Sequence, residues 1–535
     1  MLEERSRPKS SNSTDSLSWT PSGTDPQPPH RRTATVKRIS RRTAITGGFG
    51  AAALTLAACG NRTVPAEAGT FPPAPTLTPK AGQGLVTQTL TAAPTTVDLG
   101  GRTVSTWAYG ESLPGPLIRA TAGDLLRITL ENRLPEASTI HWHGIRLHNA
   151  ADGVPGMTQD PVEPDTSFTY EFVVPDPGTY FFHSHVGLQL DRGLYAPLII
   201  DDPDEPGGYD AEWIVTLDDW IDGTGQTPDD VLAGLTGAGA SDGGRMDHGD
   251  MPMGEGSSDG MDHGEMPMGD EPWGDAGDVA YPHFLINGRI PEAPEIFEAK
   301  PGQRVRLRLI NASADTIFAL ALGDHDLSVT HSDGFSVEPV TAKALYLGMG
   351  ERYDVAVTVK DGMFPLVARP VGKTSGGRGL AVLRTGAGEV PAPDVQVREL
   401  DGEVLIGSTL EPSEAARLED RAVDTELELA FQGSMEPYQW AINGAPFGQN
   451  TPLSIREGQR VRIIATNQTM MSHPLHVHGH TFALPSGLRK DTVMMAPMES
   501  FALDFDADNP GRWAAHCHNA YHQEVGMMTG IDYAS

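Results

Sequence analysis

The chain has little cysteine. Two among 535 residues, Cys59 and Cys517, stand near opposite ends, which excludes a disulfide-stapled scaffold and a Cys-based zinc cluster. Basic residues are outnumbered, 39 Lys and Arg against 71 Asp and Glu, for a formal net charge of -32. A phosphate backbone would be repelled by that charge, so no nucleic-acid partner is expected. Long apolar runs are missing as well. The run over residues 44–58 has about 15 positions, too short for an ordinary bilayer-spanning helix. Against these shortages, Gly 60 and Pro 43 favour turn-rich β structure over long helices. The length fits three or four domains. Eighteen histidines and eighteen methionines are the unusual surplus.

The N-terminus reads as an address. Residues 1–39 are polar, and Ser40-Arg41-Arg42-Thr43 then leads into the Ala-rich run. Its length and flanks suit the apolar core of a signal peptide, and the paired arginines resemble a twin-arginine export signal. The run closes on Leu56-Ala57-Ala58-Cys59, which resembles a bacterial lipobox with Cys59 as the lipid-bearing residue. Residues 1–58 are therefore expected to be a leader and 59–83 a Pro-containing tether. The soluble body is expected at the outer face of the cell membrane, attached only through Cys59, or released if Cys59 is not lipidated. The leader carries nine Lys/Arg and four Asp/Glu, so its removal leaves a still more acidic protein.

Three segments repeat one pattern: Gly123-Asp124-Leu125-Leu126-Arg127-Ile128-Thr129-Leu130-Glu131-Asn132, and its counterparts Gly302 to Asn311 and Gly458 to Asn467. Each is a Gly turn followed by apolar/polar alternation, the signature of a half-buried strand. An all-β chain of three homologous domains is expected, over 84–203, 204–395 and 396–535. Nine residues past Asn132 is His141 and nine past Asn467 is His476, whereas nine past Asn311 is Leu320. The first and third domains thus begin His-x-His pairs where the middle one, read as a spacer, has leucines. Pro177-Gly178 precedes His183-Ser184-His185 as Pro510-Gly511 precedes His516-Cys517-His518.

The four pairs supply eight imidazoles: His141, His143, His183, His185, His476, His478, His516 and His518. Residues i and i+2 of a strand share one face, so both rings of a pair can serve adjacent metals roughly 6–7 Å apart. Eight imidazoles exceed what one tetrahedral zinc accepts, and all-nitrogen ligation suits copper. A second centre is written around Cys517, where His473 and His522 add two imidazoles and Met527 a weak axial thioether. That donor set describes a blue-copper electron-transfer site. Met528 reads as core.

The segments His141-Trp142-His143-Gly144, His183-Ser184-His185, His473-Pro474-Leu475-His476-Val477-His478-Gly479 and His516-Cys517-His518-Asn519-Ala520-Tyr521-His522 resemble the four copper motifs of the multicopper oxidases. They fall in the family's chain order, over roughly 84–535, and are most similar to its bacterial three-domain members of laccase-like and copper-resistance type. The resemblance implies three cupredoxin-like Greek-key β-sandwiches and four copper ions. His141 and His476 would hold the type 2 copper. His143, His183 and His518 would hold one type 3 copper, and His185, His478 and His516 the other. It also implies one-electron oxidation of a substrate at the type 1 copper, with Cys517 wiring that site to a cluster that reduces O2 to water. Asp152 matches an acidic position that the family places near the cluster, where it would serve catalysis. An acid that several members carry right after the last blue-copper histidine is here Gln523, with Glu524 next, which leaves the second proton route open.

One further motif stands outside these. Met246-Asp247-His248-Gly249-Asp250-Met251-Pro252-Met253-Gly254 recurs as Met261-Asp262-His263-Gly264-Glu265-Met266-Pro267-Met268-Gly269. The insert 241–275 holds ten acids, one arginine and six of the methionines. It cannot form a core and reads as a solvated loop. Thioethers favour Cu(I), and the acids and imidazoles suit Cu(II), so extra copper is the expected ligand. The repeats favour Cu(I) as the reductant and a role in copper tolerance. A laccase-like oxidase of phenols or aromatic amines is the close alternative, and a non-catalytic copper-storage lipoprotein the alternative from another class.

Overall fold

A computed structural model describes residues 71, 75–205, 208–237, 272–274, 277–373 and 376–534. The leader, Cys59 and both copies of the Met/His/Asp repeat lie outside the described residues. Among those described, no helix is long and apolar enough to cross a membrane.

The expected all-β architecture is present as six sheets in three pairs. Strands from 85 to 201 form two four-stranded sheets; those from 211 to 384 and from 425 to 533 each form a six-stranded and a five-stranded sheet. The three repeated segments occupy the same place in each pair. Leu125–Asn132, Arg304–Asn311 and Arg460–Asn467 are strands, each parallel to the opening strand of its unit and antiparallel to a later one.

The closing asparagines also do one job three times. Each Oδ1 accepts the amide two residues on, at Leu134, Ser313 and Thr469 (2.9, 3.0 and 2.9 Å). Each Nδ2 donates to a carbonyl four or five residues on and to a distant one, Val162, Leu347 or Ala496. These bonds satisfy backbone groups that would otherwise be buried without partners, and they brace the loop that delivers the next strand.

That next strand explains the spacing. His141–His143 pairs with Gly178–His183 so that His141 faces His183, and His473–Val477 pairs with Arg512–Cys517 so that His476 faces His516. The middle unit makes the same pairing with Leu320 opposite Ala368. An apolar cross-strand pair there completes a core that needs nothing from outside.

The middle repeat departs from expectation in one respect. Arg304–Asn311 is buried on nearly every residue instead of alternating, because its outward arginines are held by carboxylates of their own unit and by Thr179 of the first. Arg306 pairs with Asp354 (2.5 Å) and Glu205 (2.6 Å), and Arg308 donates to Glu212 (2.5 Å) and Thr179 (2.9 Å). Charge at such positions is tolerated only when fully paired.

Candidate metal centre

The two histidine hairpins, one from the first unit and one from the last, meet face to face. His141 stacks on His478 and His143 on His476, both with ring centroids 3.8 Å apart. Within the pairs the centroids are 5.9 Å (His141/His143), 6.2 Å (His183/His185) and 5.8 Å (His516/His518). His476/His478 is tighter than expected at 4.8 Å. Trp142, between the first two ligands, points to the opposite face and is fully buried in the core.

All eight imidazoles are buried, and their donor atoms gather into small groups. Ligand atoms of His141, His143 and His476 lie within 4.8 Å of one another; so do those of His143, His183 and His518, and those of His185, His478 and His516. The last two triads are those the family resemblance implied.

Outward hydrogen bonds fix which nitrogen turns inward. Nδ1–H of His141, His183, His476 and His516 donates to the carbonyls of Asp152, Ser184, Asp491 and Cys517 at 2.9, 2.9, 3.0 and 2.8 Å. His143 is reversed: its Nε2 bonds Thr492 Oγ1 (2.9 Å), which leaves Nδ1 3.2 Å from His518 Nε2. Nε2 of His141, His183, His185 and His476 and Nδ1 of His518 are buried with no hydrogen-bond partner, while His478 Nε2 and His516 Nε2 face each other at 2.9 Å. Buried nitrogens are rarely left so, and converging lone pairs without a proton donor ask for cations. Burial is also the main cause that holds His143, His183, His185, His476, His478 and His518 well below their ordinary pKa, and His516 at about 4. They are neutral at physiological pH, as metal ligands must be. The donor set fits copper.

Asp152 sits on a buried turn after the 3-10 segment Asn149–Ala151, where Gly153 at φ +85° lets the chain pass the Ile140 carbonyl. Its carboxylate lies 3.1 Å from His478 Nδ1 and 3.3 Å from His141 Nδ1, so it touches both hairpins.

The second site is assembled by the last unit. His473 Nδ1 and His522 Nδ1 are 3.1 Å apart, each 3.6 Å from Cys517 Sγ. Nε2 of His473 is paired with Thr469 Oγ1 (2.7 Å), and that of His522 with Asp278 Oδ2 (3.0 Å), so both rings turn Nδ1 to the sulfur. The short helix Ala520–Glu524 is capped by the Asn519 side chain, which accepts the Tyr521 and His522 amides and so aims His522. Met527 is fully buried and held beside Cys517, its carbonyl accepting the Cys517 amide at 3.0 Å. Met528 packs with Val154, Met157 and Ala514, as a core residue does. Burial pushes the Cys517 thiol up, so a thiolate there needs a cation beside it.

The chain on either side of Cys517 leads to different triads, His516 to that of His185 and His478, and His518 to that of His143 and His183. Met494 and Met495 are buried core residues, while Met498 is 63% exposed. The other described histidines have ordinary partners: His148 bonds the Glu171 carbonyl (2.7 Å), His283 faces Arg102 (2.7 Å), His325 the Gly323 carbonyl (2.8 Å), His331 Thr330 (3.0 Å) and His480 Tyr533 (2.7 Å). Sequence reasoning missed Asp278, Asp491, Thr492 and Thr469, the outer partners of the imidazoles. Nothing in their local sequence marks them, because each is defined by the ring it meets.

Comparison with known proteins agrees with this geometry. Family models described as multicopper oxidase match residues 91–205, 265–388 and 420–534. The chain is 46% identical over 506 residues to the multicopper oxidase MmcO of Mycobacterium tuberculosis, across 93% of this chain and 97% of that protein. It is 30% identical over 544 residues to a copper resistance protein A homolog of Pseudomonas syringae pv. tomato, across 83% of this chain and 91% of the other. A solved multi-copper oxidase from Pseudomonas thermotolerans matches with a TM-score of 0.62 at 28% identity, across 84% of this chain and 100% of that one. The structure of Fet3p, a multicopper oxidase, matches with a TM-score of 0.69 at 20% identity, across 84% and 90% of the two chains, and speaks for the fold alone. Two imidazole hairpins converging from separate sandwiches, a Cys-His-His site joined to them through Cys517, and a relative at 46% identity along nearly the whole chain lead to one conclusion: this protein is an oxidoreductase belonging to the multicopper oxidase family.

Proposed function

We propose that the protein is a cuprous oxidase: four cuprous ions give up four electrons, and with four protons these reduce one O2 to two waters. His473, Cys517, His522 and Met527 would hold the type 1 copper. His141 and His476 would hold type 2; His143, His183 and His518 would hold one type 3 ion, and His185, His478 and His516 the other. When bound, copper at the Cys517 site accepts single electrons, and the three-copper cluster delivers four of them to O2. The protein supplies the rest. Cys517 gives a short covalent route from its own sulfur to His516 and His518. Burial keeps water from the imidazoles, and Asp278 and Thr469 keep both rings aimed at the sulfur. Asp152, in contact with Nδ1 of His141 and His478, is placed to hold protons at the cluster.

One observation carries the choice of Cu(I) as reductant. The Met/His/Asp insert ends at Trp273 and Gly274, which are fastened beside the type 1 ligands: Ser472 Oγ donates to the Trp273 carbonyl (2.6 Å) and Gly274 bridges Met471. His473 follows directly, and Asp278, which holds His522, is four residues beyond Gly274. The described end of an insert whose sequence is rich in soft thioether donors thus lies beside the Cys517 site. Met470 and Met498, each 63% exposed, flank the same loop, with the Met498 amide on the Thr469 carbonyl (3.2 Å). The names of copper-resistance relatives agree. Export by the twin-arginine route and anchoring through Cys59 complete the reading, and place the enzyme where it would meet copper outside the cell.

The test compares Cu(I) and a phenol as reductants for the copper-loaded protein and for a variant lacking 241–275. Expected are faster Cu(I) turnover by the full chain and a raised KM for Cu(I) alone in the deletion. Turnover of phenol without Cu(I) oxidation would establish the laccase-like reading. Four bound coppers with no O2 uptake from either reductant would establish storage. Loss of membrane association in Cys59→Ser is expected on fractionation.

A further inference from the structure

The middle unit gives none of the paired imidazoles, yet one of its side chains reaches the cluster. Arg352, on the strand Arg352–Thr358, is fully buried. Its guanidinium makes a two-pronged pair with Asp491 of the last unit, both contacts 2.6 Å, and its Nε donates to the Thr179 carbonyl of the first unit at 3.2 Å. Nη1 also donates to the Gly350 carbonyl (3.0 Å). One side chain therefore joins all three units.

What it holds matters more than how many units it touches. Asp491, also fully buried, places Oδ1 3.2 Å from His143 Nε2 and accepts the Thr492 hydroxyl on the same oxygen (2.9 Å). Its carbonyl takes the Nδ1–H of His476 (3.0 Å). The carboxylate and Thr492 Oγ1 together keep the His143 proton on Nε2, which leaves Nδ1 free to face His518. His143 and His476 both face this Arg352-paired carboxylate, His143 the more closely: His476 Nδ1 lies 3.6 Å from Oδ1 and 3.0 Å from Thr492 Oγ1. Outer partners of this kind fix the tautomer and ring orientation of metal-binding histidines.

Two glycines show that the space was cleared for this arrangement. A Cβ on Gly144, directly after His143, would lie 2.5 Å from Arg352 Nη2 and 2.6 Å from Asp491 Oδ2. A Cβ on Gly350 would lie 2.9 Å from His143 Cε1 and 3.1 Å from His518 Cδ2. Both have φ of +83°, a region that favours glycine. The loop of the middle unit is pressed onto the imidazoles themselves.

We propose that Arg352 is a positioning residue for the three-copper cluster: acting through Asp491, it fixes His143 with Nδ1 turned to the metal and makes cluster loading depend on docking of the middle unit. A buried Asp491 without Arg352 is an uncompensated charge; it would draw in water and release the ring. The proposal rests on the copper assignment above. If the wild-type chain takes up no copper at the cluster, that assignment fails; if it loads and the variants load alike, only the role of Arg352 fails.

The experiment measures copper content, the absorbance of the Cys517 site and the electron paramagnetic resonance of the cluster in copper-loaded Arg352→Met, Arg352→Lys and the pair Arg352→Met/Asp491→Asn. Arg352→Met should hold cluster copper roughly 10–100-fold more weakly against a chelator, with the blue absorbance kept. Arg352→Lys, which keeps charge but not the fork, should fall between. The double variant has no unpaired charge and retains an acceptor for His143 Nε2–H, so it should regain both copper and the wild-type resonance; it also serves if Arg352→Met does not fold. Wild-type loading and resonance in Arg352→Met would overturn the proposal. So would equal loss at both sites with a lowered melting temperature, or a folded double variant with an empty cluster.

Discussion

Acidifying the copper-free protein should destabilise it steeply, and copper should suppress the effect. Burial first, reinforced for most of them by neighbouring imidazoles, holds His143, His183, His185, His473, His476, His478 and His518 well below the ordinary value of 6.5, and His516 at about 4. In the folded chain these eight rings stay neutral as pH falls from 7, while in the unfolded chain each takes a proton near 6.5. The unfolded state then binds more protons, so stability is full above 6.5 and is lost as pH falls below it, each ring contributing until its own folded pKa is reached. One pH unit below 6.5 each ring costs about 1 to 2 kcal/mol, so eight together cost on the order of 10 kcal/mol at pH 5.5. That equals the entire stability of a typical domain. His516 would stop contributing near pH 4, after a loss of about 3 kcal/mol. Calorimetric melts of copper-free and copper-loaded protein at pH 7.5, 6.5 and 5.5 check this. The copper-free melting temperature should drop by roughly 10 °C between the extremes, and the loaded protein, whose nitrogens are committed to metal, by far less. A copper-free protein that melts within about 2 °C of the same temperature at pH 7.5 and 5.5 would refute the picture of eight buried neutral rings.

Further perturbations separate the parts. Cys517→Ser should abolish the blue absorbance and oxidation of any reductant while keeping three coppers; a metal count below that, with His516 and His518 untouched, would argue against two separable sites. Asp152→Asn preserves the carbonyl that accepts His141 Nδ1–H (2.9 Å) but removes the carboxylate. Steady-state O2 uptake should fall by about 10²–10⁴-fold at unchanged copper content, and a fall of less than about twofold would remove Asp152 from the proton route. Lys490 is fully buried between Asp333 (3.1 Å) and Glu351 (3.2 Å). Lys490→Met should cost about 3–5 kcal/mol in urea unfolding, and a loss under about 1 kcal/mol would show the network to be dispensable.

The convergence of the histidine pairs was legible in the sequence because strand geometry ties spacing to direction. A strand that ends in a loop-bracing asparagine and restarts nine residues later leaves one choice of face, so the histidines at 141 and 476 had to be equivalent. The outer partners were not legible. Asp278 meets His522 from 244 positions away and Arg352 meets Asp491 from 139, and neither lies in a stretch with any repeat or motif. The arginines of the middle repeat misled for a related reason: alternation shows which side chains leave the core, not whether partners elsewhere in the chain cover them.

The loss of histidines from the middle unit follows from the same physics. A buried imidazole nitrogen with no partner is costly, and in the outer units that cost is offset only because two hairpins meet and share metal. The equivalent strand of the middle unit, Phe318–Leu322, is fully buried between Met363–Pro370 and Leu345–Leu347 in its own sheet. Its Leu320 and Ala368 pack into the apolar core, so histidines there would have stayed unpaired. Freed from ligation, that unit contributes where a ligand-bearing unit has no room, with Asp278 behind His522 and Arg352 behind His143. The middle unit therefore supplies carboxylate and guanidinium groups that orient rings it does not own. For that reason, deleting or replacing it should empty the two histidine-lined sites even though none of its described residues is among their imidazoles.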